Sequence, residues 1–126
     1  MIESIGVDIA DVGRMEQAIA RWGERFLRKV FTDAEVAFCE GRHHKAPSYA
    51  ARFAGKEAVA KCLGTGFRRG VTPATIEIVD NERSRPTVRL HGAAAAYGAG
   101  RTIHLSLSHE RRVVVAVAVM ERQEAR

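Results

Sequence analysis

The sequence predicts an α+β protein in which an antiparallel sheet packs on a long central helix. Three observations carry that prediction. Between Tyr49 and Leu63 only Gly55 disfavours a helix, both sides of that helix are apolar, and Gly64 and Gly66 supply the stop. Two pairs of short strand-like runs, 75–80 with 86–91 and 103–107 with 113–120, are each joined by a polar turn. Helical patterns come mostly first and strand patterns mostly last, which is the order of an α+β fold. A chain of 126 residues without repeats, low-complexity tracts or linkers is expected to form one domain over 1–126.

Taken in order, Ile2 to Ile9 alternates and is β-branched enough for a strand, with Asp8 near its end. A carboxylate where a strand gives way to a helix is a common metal or nucleotide position, although Asp8 or Asp11 could equally cap the helix that follows. Residues 12–21 read as a short helix with Val12, Met15, Ile19 and Trp22 on one side. Arg14, Arg21, Arg25 and Arg28 continue one basic stripe provided that Gly23 does not break it. Such a stripe is a solvated face, or a dock for an acidic helix or a phosphate backbone. Thr32 followed by Glu35 is a capping box that opens a helix ending near Gly41.

Residues 42–47 read as a basic loop in which the adjacent His43 and His44 diverge and make no metal site. Within the central helix, Ala51, Ala54, Gly55, Ala58 and Cys62 form a small-residue strip, opposite Tyr49, Phe53, Val59, Ala60 and Leu63. The Gly-rich, basic turn 64–70 lacks the Gly-Lys-Ser/Thr ending of a phosphate loop. Ala93 to Tyr97 is a short helix. The run VVVAVAV at 113–119 is apolar throughout, so that strand is expected to be covered on both faces.

Composition limits the partners. Lys and Arg outnumber Asp and Glu by 20 to 15, a net charge of +5, so anions are expected: nucleic acid, nucleotides or acidic proteins. A nucleic-acid-binding module would interleave exposed aromatics with its basic residues. Aromatics are only 6% of this chain, and Tyr49, Phe53, Phe26 and Phe31 read as core, so no nucleic-acid partner is expected. Cys39 and Cys62 have neither metal spacing nor a disulfide pattern and read as small buried residues in a reducing compartment. The start carries Glu3 and Asp8 rather than a basic segment, and no apolar run reaches the roughly 20 residues of a membrane span. The expected location is cytoplasmic, with no membrane partner.

Glu57 and Lys61 lie about one turn apart on the central helix. The spacing is that of an ordinary helix ion pair. On a mostly apolar helix, however, charges need strong partners, and a carboxylate beside an ammonium suits a cation and a phosphate.

Three stretches stand together: GVDIADVGR at 6–14, RFAGKEAVAKCLGTG at 52–66 and SLSHE at 106–110. In this order and at this length they resemble the 4′-phosphopantetheinyl transferases, specifically the small holo-[acyl-carrier-protein] synthases, over nearly the whole chain. The local departures are Gly55, where alanine is more usual, and the histidine-rich 41–48 loop. The resemblance implies the 4′-phosphopantetheinyl transferase fold. It also implies transfer of the 4′-phosphopantetheine arm of coenzyme A to a serine of acyl carrier protein in fatty acid biosynthesis, releasing adenosine 3′,5′-bisphosphate. Carrier domains of multienzyme synthases are the alternative acceptors.

By the same resemblance a magnesium ion sits on Asp8 and Glu57, which suits its preference for carboxylate oxygens completed by water and substrate phosphate. Asp8, Glu57 and Lys61 are the implied catalytic residues. Lys61 would contact the phosphates, and Glu57 would take the serine proton directly or through a metal-bound water. Arg52, Lys61, Gly64, Pro86, Ser108 and His109 are the implied coenzyme A contacts. Arg14, Arg21, Arg25 and Arg28 are the implied carrier-protein contacts, facing that protein's acidic helix. The resemblance further implies a homotrimer with active sites at subunit boundaries, since larger relatives fuse two such modules around one cleft. An uncovered face on 113–119 would then be met by a neighbour.

Overall fold

The structure is a computed structural model and describes residues 1–124. Strand β1 (Ile2–Asp11) leads into helices α1 (Val12–Val30), α2 (Asp33–Glu40) and α3 (Lys45–Leu63). A single 3-10 turn, Pro73–Thr75, precedes the hairpin of β2 (Ile76–Asp80) and β3 (Pro86–Leu90). The short helix α4 (Gly92–Tyr97) then connects to the hairpin of β4 (Arg101–His109) and β5 (Val113–Arg122). The long sheet is antiparallel in the order β1-β5-β4, and β2-β3 forms a separate two-stranded sheet.

Helix α3 is the centre of this arrangement, packed on β1, β5, β4, β2 and both preceding helices. Its small-residue strip explains how. Ala54, Gly55, Ala58 and Cys62 are all buried and let the sheet approach closely. Closest of all is β1, because a Cβ built on Gly6 would overlap the carbonyl oxygen of Ala58 and stand 3.1 Å from the amide nitrogen of Cys62. Ser4 adds a hydrogen bond to the Cys62 carbonyl at 2.6 Å. Opposite, Tyr49 and Phe31 pack with ring centroids 4.9 Å apart, and Phe26 meets Phe31 edge-on. Both cysteines are buried and unpaired.

The charges inside the helical layer are matched. Lys56 and Glu35 are fully buried and 2.7 Å apart. The Lys56 ammonium also donates to the carbonyls of Pro73 and Ile76, using its three donors. Glu35 serves the expected capping box of α2 and also accepts from the Ile78 amide, tying α2 to β2. Beside it, Thr32 donates to Glu77, which also meets His91.

Four sequence expectations are corrected. The helix expected over 12–21 continues to Val30, and Gly23 breaks its regularity with φ 57° and ψ −141°, so the arginines do not share one unbroken stripe. Trp22, expected on the apolar side, is 55% exposed, because the chain turns at Gly23 and Phe26, Leu27 and Val30 take the inward positions. The basic loop is shorter than expected, since α3 already begins at Lys45. Strand β5 is covered on one face only. Val114, Ala116 and Ala118 are fully buried against the helices, whereas Val113 is exposed and Val115, Val117 and Val119 are half-buried.

The uncovered face is wider than one strand. In the register, Ile5, Val7 and Ile9 of β1 stand opposite Val119, Val117 and Val115, and all three are exposed. His104, Ser106 and Ser108 of β4 complete those rows. The helices cover only one side of this three-stranded sheet.

Candidate active site

The close packing of β1 on α3 brings the two halves of the sequence motif together. Gly6 and Asp8 lie two residues apart on β1 and therefore share the face turned to the helix. Asp8, mostly buried, meets the Lys61 ammonium at 3.1 Å, and the same ammonium donates to the Val7 carbonyl at 2.9 Å. Glu57, one turn back on α3, is held above the ordinary carboxylate range. Burial is the main cause and the charge and hydrogen bonding of Asp8 the next, with Lys61 opposing them. The result is two carboxylates in one another's field with a half-exposed ammonium beside them. Gly64 closes α3 just beyond Lys61 in the left-handed conformation, φ 81°, and leaves an exposed backbone turn.

A half-buried Glu57 whose charge is disfavoured by burial and by the neighbouring Asp8 suits a divalent cation. Magnesium takes one or two protein carboxylates and leaves the rest of its shell to water and phosphate, so Asp8 and Glu57 fit it. No group of three or more His, Cys, Asp or Glu residues that could hold a metal occurs among the described residues, so an all-protein cage is not offered.

A second set of expected residues meets elsewhere. Arg52, Pro86 and His109 line a groove of about 1250 Å³, together with Phe38, Asp80 and the His43–His44 pair. Arg52 is buried, with its guanidinium 3.8 Å from the Phe38 ring centroid and 3.4 Å from Asp80. Its Nε has no hydrogen-bond partner in the buried space it occupies. A buried guanidinium with a free donor beside a groove is suited to an anion such as phosphate.

Asp8, Glu57 and Lys61 do not line this groove. Ser108 belongs to neither set. It pairs in register with Val115 on the uncovered face, whereas His109 pairs with the buried Val114 on the other side. Within one chain the expected site residues are thus divided among a carboxylate–lysine cluster, an Arg52–Pro86–His109 groove and the open sheet face. Arg14, Arg21, Arg25 and Arg28 are all exposed along α1, on both sides of the Gly23 break, and Arg28 faces Glu24 at 3.9 Å.

Sequence reasoning missed Phe38 and Asp80, which hold Arg52. No local pattern signals them, because they come from α2 and β2 and meet only in the folded chain. Glu35 was legible as a helix cap, and its second use as the partner of Lys56 was not.

A match to a family model extends over residues 4–118, and the family is the 4′-phosphopantetheinyl transferase superfamily. The chain belongs to that superfamily. Within it, the chain is similar to the holo-[acyl-carrier-protein] synthase of Koribacter versatilis, at 44% identity over 96% of this chain and 99% of that one. Among solved structures, the holo-[acyl-carrier-protein] synthase of Neisseria meningitidis superposes with a TM-score of 0.87 at 30% identity, covering 97% of this chain and 100% of that one. The Helicobacter pylori holo-[acyl-carrier-protein] synthase in complex with coenzyme A superposes with a TM-score of 0.84 at 28% identity, covering 94% and 100%.

Proposed function

We propose that this protein transfers the 4′-phosphopantetheine group of coenzyme A to a serine of apo-acyl carrier protein, in the service of fatty acid biosynthesis. The observation that carries this reading is the Asp8–Glu57–Lys61 cluster, in a chain of this superfamily. In the step, the serine oxygen attacks the phosphorus bearing the pantetheine arm. The bond from that phosphorus to the bridging oxygen breaks, and adenosine 3′,5′-bisphosphate leaves with the electron pair. Glu57 accepts the serine proton, directly or through a water, and its burial beside Asp8 makes it more basic than an ordinary carboxylate. Lys61, anchored on Asp8 and the Val7 carbonyl, offers its charge to the pyrophosphate oxygens. A magnesium ion held by Asp8 and Glu57 would neutralise the charge that develops on the leaving phosphate.

The groove is the place for the nucleotide half of coenzyme A. Arg52 and His109 supply donors for phosphate, and Pro86 supplies apolar surface for adenine. Gly64 and Ser108 offer further contacts, from the turn after α3 and from the open sheet face. The division of the site within one chain supports a homotrimer in which the cluster of one subunit faces the groove of the next. The exposed Ile5, Val7 and Ile9 and the half-buried valines of β5 are the surface such a neighbour would cover. No helix of the described residues is long and apolar enough to cross a membrane, and the proposed compartment is the cytoplasm.

The test is to incubate the protein with coenzyme A, magnesium and an apo-carrier protein and to weigh the carrier. The carrier gains one phosphopantetheine and an equal amount of adenosine 3′,5′-bisphosphate appears, whereas Asp8→Asn gives neither. A carrier of unchanged mass across discrete carriers and carrier domains alike would rule the reading out.

A further inference from the structure

We infer that Trp22 is the apolar anchor by which this protein grips the acidic helix of its carrier protein, with Arg21 beside it and the other exposed arginines of α1 as further charged contacts. The inference rests on the transfer reading above and adds a residue to the four arginines of α1.

Three features of the structure lead to it. Trp22 is 55% exposed although it is among the largest apolar side chains in the chain. The exposure is built into the backbone. Gly23 adopts φ 57° with open space where a Cβ would stand, so the glycine is there for its conformation and not for room. That turn ends the first helical segment directly after Trp22. The ring is also flanked by charge, for the Arg21 guanidinium lies 4.9 Å from its centroid.

The surroundings select the partner. Arg14, Arg21 and Arg25 are exposed and, among the described residues, have no carboxylate within 4.0 Å. Their charge is therefore available to an acidic surface. Charged contacts at the rim of an interface chiefly speed encounter and set orientation, while buried aromatic anchors carry most of the affinity. A tryptophan beside the unpaired Arg21, on a helix that also exposes the unpaired Arg14 and Arg25, matches that division of labour, with one side of an acidic amphipathic helix on the ring and its carboxylates on the guanidinium groups.

The chain supplies its own probe, since Trp22 is its sole tryptophan. Titrating the protein with apo-carrier, without coenzyme A, moves the tryptophan emission to the blue in a saturable way, and coenzyme A alone does not. Trp22→Ala raises the carrier KM by roughly tenfold or more while leaving the coenzyme A KM unchanged, and Trp22→Phe recovers part of the loss. The excess of the Trp22→Ala KM over that of the parent persists at high salt, where arginine contacts are screened.

If the carrier gains phosphopantetheine yet the emission does not move and Trp22→Ala has the parent carrier KM, the anchor is refuted and the transfer reading stands. If no carrier gains mass, the transfer reading itself has failed. An emission shift that follows protein concentration alone, or that an oligonucleotide produces and the carrier does not, assigns Trp22 to self-association or nucleic acid and also overturns the inference.

Discussion

Substituting Gly6 by alanine probes how the fold makes the site. The added Cβ would overlap the Ala58 carbonyl oxygen and lie 3.0 Å from the carbonyl carbon, both backbone atoms in the middle of α3. No side-chain rotation relieves such a clash, so β1 must move off the helix by an amount on the order of 1 Å. Overpacking of a core costs about 1–3 kcal/mol, and a backbone obstacle places Gly6→Ala at the upper end or beyond. The same movement carries Asp8, two residues along the strand, away from Glu57 and Lys61. A misplacement of about 1 Å at a reacting centre can cost roughly 10²-fold in rate. Urea denaturation and carrier-mass kinetics on the same preparation measure both effects. Gly55→Ala is the control, because there a Cβ meets only side-chain atoms of Leu105 and Ile78 at 3.3–3.5 Å. It is expected to lie within about 1 kcal/mol of the parent, helped by the helix preference for alanine. Parent-like stability and rate in Gly6→Ala would refute the claim that close β1–α3 packing positions the carboxylates.

Further outcomes follow from other parts of the structure. Lys56→Met leaves Glu35 buried without its ion-pair partner and is expected to destabilise the protein by about 3–5 kcal/mol in chemical denaturation. Glu77 is held below the ordinary carboxylate range. Burial opposes this, but the Thr32 hydroxyl and His91 outweigh it, with Arg89 adding to them. A lowered folded-state pKa contributes stability above the unfolded value of 4.5 that is lost as pH falls through the folded value, so Glu77→Gln should flatten the acid limb of a Tm-against-pH curve. Arg25→Glu should raise the carrier KM and weaken its salt dependence, with the coenzyme A KM unchanged, in steady-state kinetics.

Much of the fold was legible because its signals are local. The capping box at Thr32, the glycine stop after Leu63 and the two hairpin turns each act within a few residues, and all appear where the sequence places them. Gly23 shows the limit of such reading. Whether a glycine interrupts a helix depends on the packing of Phe26, Leu27 and Val30 beyond it, and Trp22 was misplaced for that reason. The run at 113–119 was read as covered on both faces, whereas the chain's own helices cover only one, because an unbroken apolar run does not say how many layers lie over it. At the site, the meeting of Asp8, Glu57 and Lys61 was legible only through the family resemblance, since the spacing of Glu57 and Lys61 alone reads as an ordinary helix ion pair. Asp80 was not, since its contact with Arg52 joins residues 28 apart in the sequence.

In the proposed homotrimer one complete site forms at each subunit boundary, from the Asp8–Glu57–Lys61 cluster of one chain and the Arg52–Pro86–His109 groove of the next. Mixing two damaged subunits tests this most directly. Asp8→Asn spoils the cluster and keeps the groove, and His109→Ala does the reverse, so each variant alone should transfer little or no phosphopantetheine. In a random equal mixture, about a quarter of the boundaries pair the two intact halves. Exchanging subunits between the two preparations and weighing the apo-carrier should therefore restore activity to about that fraction of the parent. Mixed oligomers, verified by mass, that remain as inactive as the separate variants would contradict it and return the whole site to a single chain.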